Sequence, residues 1–246
     1  MAYEGALIFN YFNNYLKAAY IFHGSSYQSL GQLYLRNDTK GYSLFDRMRF
    51  LDNQLFLSGG VEQLKDNTDH AKKFTTTYWN INYSLAYYPR WNFPSLTVGL
   101  TRNTSSNGTI HLTNVSHSDS SLMREDISNR YFVQTNYEFH YYYQQNAMID
   151  VSTTKRDDKI NPLFNTKNLT LTTSLSTFWT NTFQTTVSFA QNSNTLPQQV
   201  ASSTVQAKFN YSTLLLNARY VLFDEKLVLS GTGNSTFGNE IGRAHV

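Results

Sequence analysis

Tyr131-Phe132-Val133-Gln134-Thr135-Asn136-Tyr137-Glu138-Phe139-His140-Tyr141-Tyr142-Tyr143 alternates at a period of two. Tyr131, Val133, Thr135, Tyr137, Phe139, Tyr141 and Tyr143 fall on one face. Gln134, Asn136, Glu138 and His140 fall on the other, interrupted by Phe132 and Tyr142. Side chains of an extended strand point alternately to its two sides, so this stretch reads as a strand with one greasy and one wet face.

The same pattern recurs along the chain. Thr75, Thr77, Trp79, Ile81, Tyr83, Leu85 and Tyr87 lie opposite Thr76, Asn80, Asn82 and Ser84. Leu169, Leu171, Leu175 and Trp179 lie opposite Thr170, Thr172, Ser174 and Ser176. Leu214, Leu216, Ala218, Tyr220 and Leu222 oppose Thr213, Asn217 and Arg219, with Leu215, Val221 and Phe223 blurring that case. Punctuation by Asn, Asp, Gly and Pro predicts about twelve strands, near 5–12, 15–23, 41–51, 54–64, 73–88, 95–104, 129–143, 147–155, 167–179, 182–191, 207–223 and 226–237.

The connections point further. Short links at Asn13-Asn14, Asp52-Asn53, Pro89 to Pro94, Gln144 to Asn146, Thr180-Asn181 and Asp224-Glu225 alternate with long ones at 24–40, 65–72, 105–128, 156–166 and 192–206. Short turns at one end and long loops at the other are the pattern of an outer-membrane barrel. Aromatic side chains gather at the short turns: Tyr87, Tyr88, Trp91 and Phe93; Tyr141, Tyr142 and Tyr143; Phe178, Trp179 and Phe183; Tyr220 and Phe223. Rings with a polar tip favour the headgroup layer, where they form a girdle. The fold expected is therefore all-β, an antiparallel up-and-down transmembrane β-barrel, incomplete here and covering 1–239. A secreted or surface β-sandwich or β-repeat domain, binding through its Asn/Ser/Thr-rich loops, is the alternative.

Composition agrees. With 18 Tyr and 17 Phe against 12 Gly and 4 Pro, strands are favoured over helices. The net charge of +3 arises from 20 basic and 17 acidic residues dispersed along the chain, without the basic block that tracks phosphates, so nucleic acid is not an expected partner. There is no cysteine, which excludes disulfides, thiolate metal sites and a cysteine nucleophile. The mean hydropathy of −0.45 fits strands in which alternate residues face a wet interior.

Both ends read as truncated. Met1 to Leu7 lacks a basic start, a long apolar stretch and a small-residue cleavage site, so an export signal is expected upstream. Ile241-Gly242-Arg243-Ala244-His245-Val246 resembles the translation of a common sequencing adapter, and 240–246 is expected to contribute nothing specific to the fold.

Tyr27-Gln28-Ser29-Leu30-Gly31, Tyr34-Leu35-Arg36-Asn37-Asp38, Gly41-Tyr42, Asp46-Arg47-Met48-Arg49, Asn53 to Gly60 and Asp66-Asn67, with Phe209 to Ser212 and Asp224 to Gly231, resemble a family of uncharacterised outer-membrane β-barrel proteins of Gram-negative bacteria. The resemblance implies location and architecture, with no known substrate. It implies a protein of the cell outer membrane, with the membrane's lipid and the barrel-assembly machinery as partners. The corresponding role is passage of a solute or polypeptide, or support of a surface complex.

Chemistry-bearing groups are few. Glu138 and His140 share a strand face two residues apart, an acid and a base in reach of each other. No Ser/His/Asn or paired-acid grouping accompanies them, so a hydrated interior is the favoured reading, a barrel-embedded hydrolase ranks third, and no enzyme is expected. Asp66-Asn67-Thr68-Asp69 and Arg156-Asp157-Asp158 offer oxygen atoms on presumed outer loops. The first lacks the spaced acids, glycine and closing glutamate of a calcium loop, and solvated turns are expected. The triplets starting at Asn103, Asn107 and Asn114 are chance matches in a chain this rich in Asn, Ser and Thr. No phosphate cradle, HExxH or GxSxG occurs. Arg47, Arg49, Glu62, Glu138, Asp150, Lys208 and Arg219 are the candidate lumen charges, of both signs, which suits a packed barrel as well as an open pore. No catalytic, cofactor or metal residue is assigned.

Overall fold

A computed structural model of the chain describes residues 1–27, 37–90, 93–107, 123–200, 203–223 and 227–241. Twelve strands form one antiparallel sheet in strict chain order. They are β1 (Ala2–Tyr11), β2 (Asn14–His23), β3 (Thr39–Phe50), β4 (Leu55–Asp66), β5 (Thr77–Tyr87), β6 (Ser95–Ser106), β7 (Glu125–Tyr141), β8 (Tyr143–Asp158), β9 (Thr166–Phe178), β10 (Phe183–Val200), β11 (Ser203–Leu222) and β12 (Leu227–Ile241). One short 3-10 turn, Pro162–Phe164, is the helical element among the described residues. No pairing joins β12 to β1, so the sheet as described is not closed.

The fold divides into two compact units. One comprises Met1–Leu85, Gly99–Asn129 and Arg156–Phe164; the other comprises Ala86–Val98, Arg130–Lys155 and Asn165–Val246.

In the first unit the ladder fixes which residues share a face, because directly opposed residues point the same way. Leu7 opposes Ala18, which opposes Leu44, which opposes Val61. Tyr3, Phe9, Leu16, Tyr20, Phe22, Tyr42, Met48 and Leu57 belong to the same set. The other set carries Glu4, Lys17, Ser43, Arg47, Ser58 and Glu62. On that polar face Lys17 donates to Glu4 at 2.5 Å and the Ser58 and Ser84 hydroxyls meet at 2.7 Å. Asp46 also falls among the apolar set, opposite Leu16 and Gly59, and its carboxylate accepts from the Tyr11 hydroxyl at 3.0 Å.

The second unit repeats the division. Val187 opposes Leu175 on one side and Leu216 on the other, with Phe183, Phe189, Leu214 and Tyr220 in the same set. Opposite them runs a ladder of small polar groups. Ser176 meets Thr186 at 2.8 Å, Asn217 donates to Thr232 at 2.9 Å, and Thr170 donates to Asn192 at 2.8 Å.

Several sequence expectations are corrected. The turn expected at Gln144 to Asn146 lies at Tyr142, whose φ of 59° reverses the chain between β7 and β8. Gln144 and Asn146 belong to β8, where alternate polar residues supply the wet face. The long loop expected at 192–206 is instead a continued hairpin, paired without a break from Phe183↔Tyr220 to Val200↔Ser203. The backbone ladder does not require apolar side chains, so Asn, Ser and Thr extend it. Lys208 is not with the polar set: the register puts it at alternate positions with Leu214 and Leu216, beside Thr195. β12 runs through Glu240 and Ile241, paired with Phe209 and Lys208, two residues beyond the expected boundary. Residues 242–246, the Asp224-Glu225 turn, Trp91, most of 27–36, Asn114 and the Gly108-Thr109 part of the Asn107 triplet lie outside the described residues.

Candidate functional site

The polar face carries the groups expected in a lumen. In the first unit, Arg47 stacks over the Phe56 ring at 5.5 Å. Arg49 is tied to the first short turn, its Nε donating to the Asn13 carbonyl at 2.5 Å and its backbone N–H to Asn14 Oδ1 at 2.7 Å. That turn places Phe12 and Asn13 at φ of 43° and 66°, a left-handed pair that the arginine holds from beneath. Around them lies an open hollow of about 420 Å³ that Tyr15 and Phe45 also wall.

In the second unit Glu138 and His140 open into a larger hollow of about 610 Å³, bounded by Tyr88, Arg90, Phe93 and Gln144. The expected pair is therefore brought to one concave surface beside the short turns. Glu138 is exposed and accepts from the Gln144 amide, and the Ser95 hydroxyl donates to the Asn136 carbonyl at 3.2 Å. Asp150, at alternate positions with Met148, sits on the same side as Gln134, whose amide contacts the Met148 sulfur at 3.4 Å. Arg219 opposes Gln184 and Ser230 on the polar face, and Glu62 opposes Ser43.

At the long-loop ends of the first unit the acids are engaged by protein donors. Asp38, buried at φ 56°, accepts from the Thr68 N–H and hydroxyl, both at 2.8 Å, from the Asn67 N–H at 3.3 Å, and from the Lys72 ammonium at 2.5 Å. Burial alone pushes the Asp38 carboxyl up, but the Lys72 charge and the Thr68 donors outweigh it and hold the group down at about 2. Asp66 accepts from the Thr76 N–H at 2.6 Å and pairs with Lys72 at 3.3 Å, and Asp69 accepts from the Ala71 N–H at 3.1 Å. These three contacts tie Asp66 and Asp69 to their own loop. A second clamp joins Asp126 to Ser105 at 2.5 Å, to Arg124 at 2.9 Å and to Arg156 at 3.1 Å. Asp158 accepts from the N–H groups of Ile160 and Asn161, closing an Asx turn. No cluster of three or more metal-ligating side chains occurs among the described residues.

No protein-family model, curated protein or solved structure matches the chain.

The clamps were invisible in the sequence because Asp38 and Thr68, or Ser105 and Asp126, lie 30 and 21 residues apart. Nothing local marks either pair. The one local hint is the recurrence of Asp-Asn-Thr chemistry at the loop ends, which serves turns and clamps alike.

Proposed function

We propose that this chain forms wall strands of an outer-membrane β-barrel in a Gram-negative bacterium, with a polar inner face that serves the passage of a hydrophilic solute. One observation carries the reading: among the described residues, the apolar side of the strands in each unit stays largely exposed. Among the described residues the buried apolar side chains are Ala19 and Ala207 alone, while Leu7 is 65% exposed, Tyr42 66%, Leu44 50% and Leu216 51%. In water so much contiguous apolar surface is a liability, whereas a bilayer solvates it. A soluble sandwich would bury that face against a second sheet, and all twelve strands here belong to one sheet.

Further support comes from the ladder and the turns. In hydrocarbon every backbone N–H and C=O must be paired within the protein. Antiparallel hairpins in chain order achieve this for every strand except the outer edges of β1 and β12, which would pair with each other or with further strands in the closed barrel. Tyr141, Tyr142, Tyr143 and Trp179 cluster at short turns, with the Tyr143 and Trp179 rings 5.0 Å apart, as an interfacial girdle would. The resemblance to uncharacterised outer-membrane barrels points the same way.

Liposome swelling with neutral sugars tests the passage. Vesicles carrying the refolded protein should swell as small sugars enter. Impermeable vesicles that nevertheless hold a heat-modifiable barrel would replace passage with a scaffolding role at the cell surface.

A further inference from the structure

Lys40 and Lys65 stand directly opposite each other near the start of β3 and the end of β4. Opposed residues share a face with their Cβ atoms roughly 5 Å apart, and like charges in that arrangement repel. The face is the apolar one: Lys40 also opposes Phe22, and the next pairs along the ladder on that side are Tyr42 with Gln63 and Leu44 with Val61. The acids at this end cannot relieve the repulsion. Asp66 opposes Thr39 and so points to the other face, and both Asp38 and Asp66 are engaged by Lys72. No ion pair joins either Lys40 or Lys65 to a described carboxylate.

We infer that the Lys40–Lys65 pair binds the phosphate of an anionic lipid headgroup in the leaflet at the long-loop end. This rests on the barrel reading above. The lysine stems can lie along the apolar strip while the ammonium groups reach the headgroup layer, and a phosphate between them converts repulsion into two charge-assisted contacts. In the second unit two lysines flank one residue of the same face, two strands apart, rather than opposing each other. Lys167 and Lys208 both oppose Thr195, from β9 and β11, in the set that contains Val187 and Leu216. Basic residues thus recur in the apolar set of both units, while Lys17 on the polar face is neutralised by Glu4, as an anionic headgroup layer would favour.

The test uses the full chain refolded in detergent and reconstituted into phosphatidylcholine vesicles with or without bis-phosphorylated lipid A, or with the same lipid after phosphatase treatment. Lipid retained after gentle re-extraction is counted by native mass spectrometry. Wild type should retain the phosphorylated form, and Lys40→Gln/Lys65→Gln should bind it on the order of fivefold more weakly per lysine removed. Lys40→Arg/Lys65→Arg and the polar-face control Lys17→Gln should bind as wild type does. In plain neutral detergent the double glutamine variant should unfold at the same or higher urea than wild type, because a repulsion has been removed, and this separates lost binding from lost folding. A barrel that inserts but retains phosphorylated and dephosphorylated lipid equally, or a double variant that binds as well as wild type, would overturn the inference while leaving the barrel standing. Failure to enter vesicles of any composition would overturn both.

Discussion

The Tyr83 ring lies across Gly59, so close that a Cβ at that position would sit 2.8 Å from the ring edge. On the opposite side of the same strand a Cβ at Gly60 would meet the Asn82 side chain at 2.8 Å. β5 thus clasps a two-glycine step of β4 with an aromatic on the apolar face and an amide on the polar one. Glycine leaves the backbone open to solvent and entropically loose, and an aromatic lid compensates for both.

Gly59→Ala should displace Tyr83 and destabilise the protein by about 1–3 kcal/mol, the usual range for overpacking. Tyr83→Ala should make Gly59→Ala nearly harmless, giving a large coupling in a double-mutant cycle. Unfolding midpoints in urea, measured in lipid vesicles, supply the four numbers. Additive effects would mean that the ring does not rest on the glycine.

Acid should loosen the loop clamp before the sheet. The folded Asp38 carboxyl sits at about 2, below its ordinary 3.8. A depressed carboxyl contributes stability that is present above the unfolded value and lost as pH falls through the folded one, so the contribution disappears between about pH 4 and 2. Protease nicking within 67–76 should rise across that window in wild type. In Asp38→Asn the nicking should already be high at neutral pH and flat across the window; an unchanged wild-type profile in that variant would remove Asp38 from the role.

The two faces of β10 should respond oppositely to charge. Val187→Arg puts a guanidinium on the apolar set and should cost about 2–4 kcal/mol if that position lies near the hydrocarbon midplane. Thr186→Arg, among Ser176 and Asn217 on the polar set, should cost much less. Urea midpoints in vesicles decide it, and equal damage from both would mean that neither face contacts lipid.

Much of this architecture was legible in the residues themselves. The alternation of Val187 with Thr186, or Tyr83 with Ser84, reports the faces because the strand period is two whatever the tertiary context. Short turns at Asn13, Asp52 and Thr180 were readable because their residues tolerate or stabilise reversal, as the positive φ of Asn13, Asp52 and Asn53 bears out. Tyr142 was not readable, since a bulky aromatic rarely adopts φ 59° and the neighbouring Gln and Asn offered a more conventional turn. Beyond Phe189 the apolar set of the β10–β11 hairpin turns polar, with Gln191 opposite Ser212 and Ser193 opposite Asn210, while Phe209 and Leu196 fall on the other side, so the side-chain pattern breaks where the backbone keeps pairing. Asp46 on the apolar face was equally hidden: only the ladder brings Tyr11 to it from two strands away. The site groups Glu138 and His140 were found by their shared face, but the hollow that they line depends on turns far away in sequence.

The absence of cysteine makes the most direct measurement possible. A single cysteine is introduced as Val187→Cys or Thr186→Cys, labelled with an environment-sensitive dye, and the full protein is reconstituted into vesicles whose lipid tails carry a nitroxide quencher. Strong quenching of the dye at 187, with the dye at 186 unquenched by the tails but reached by a water-soluble quencher, is the expected result. Equal quenching at both positions, or dye at 187 that responds to the aqueous quencher alone, would contradict a lipid-facing apolar surface.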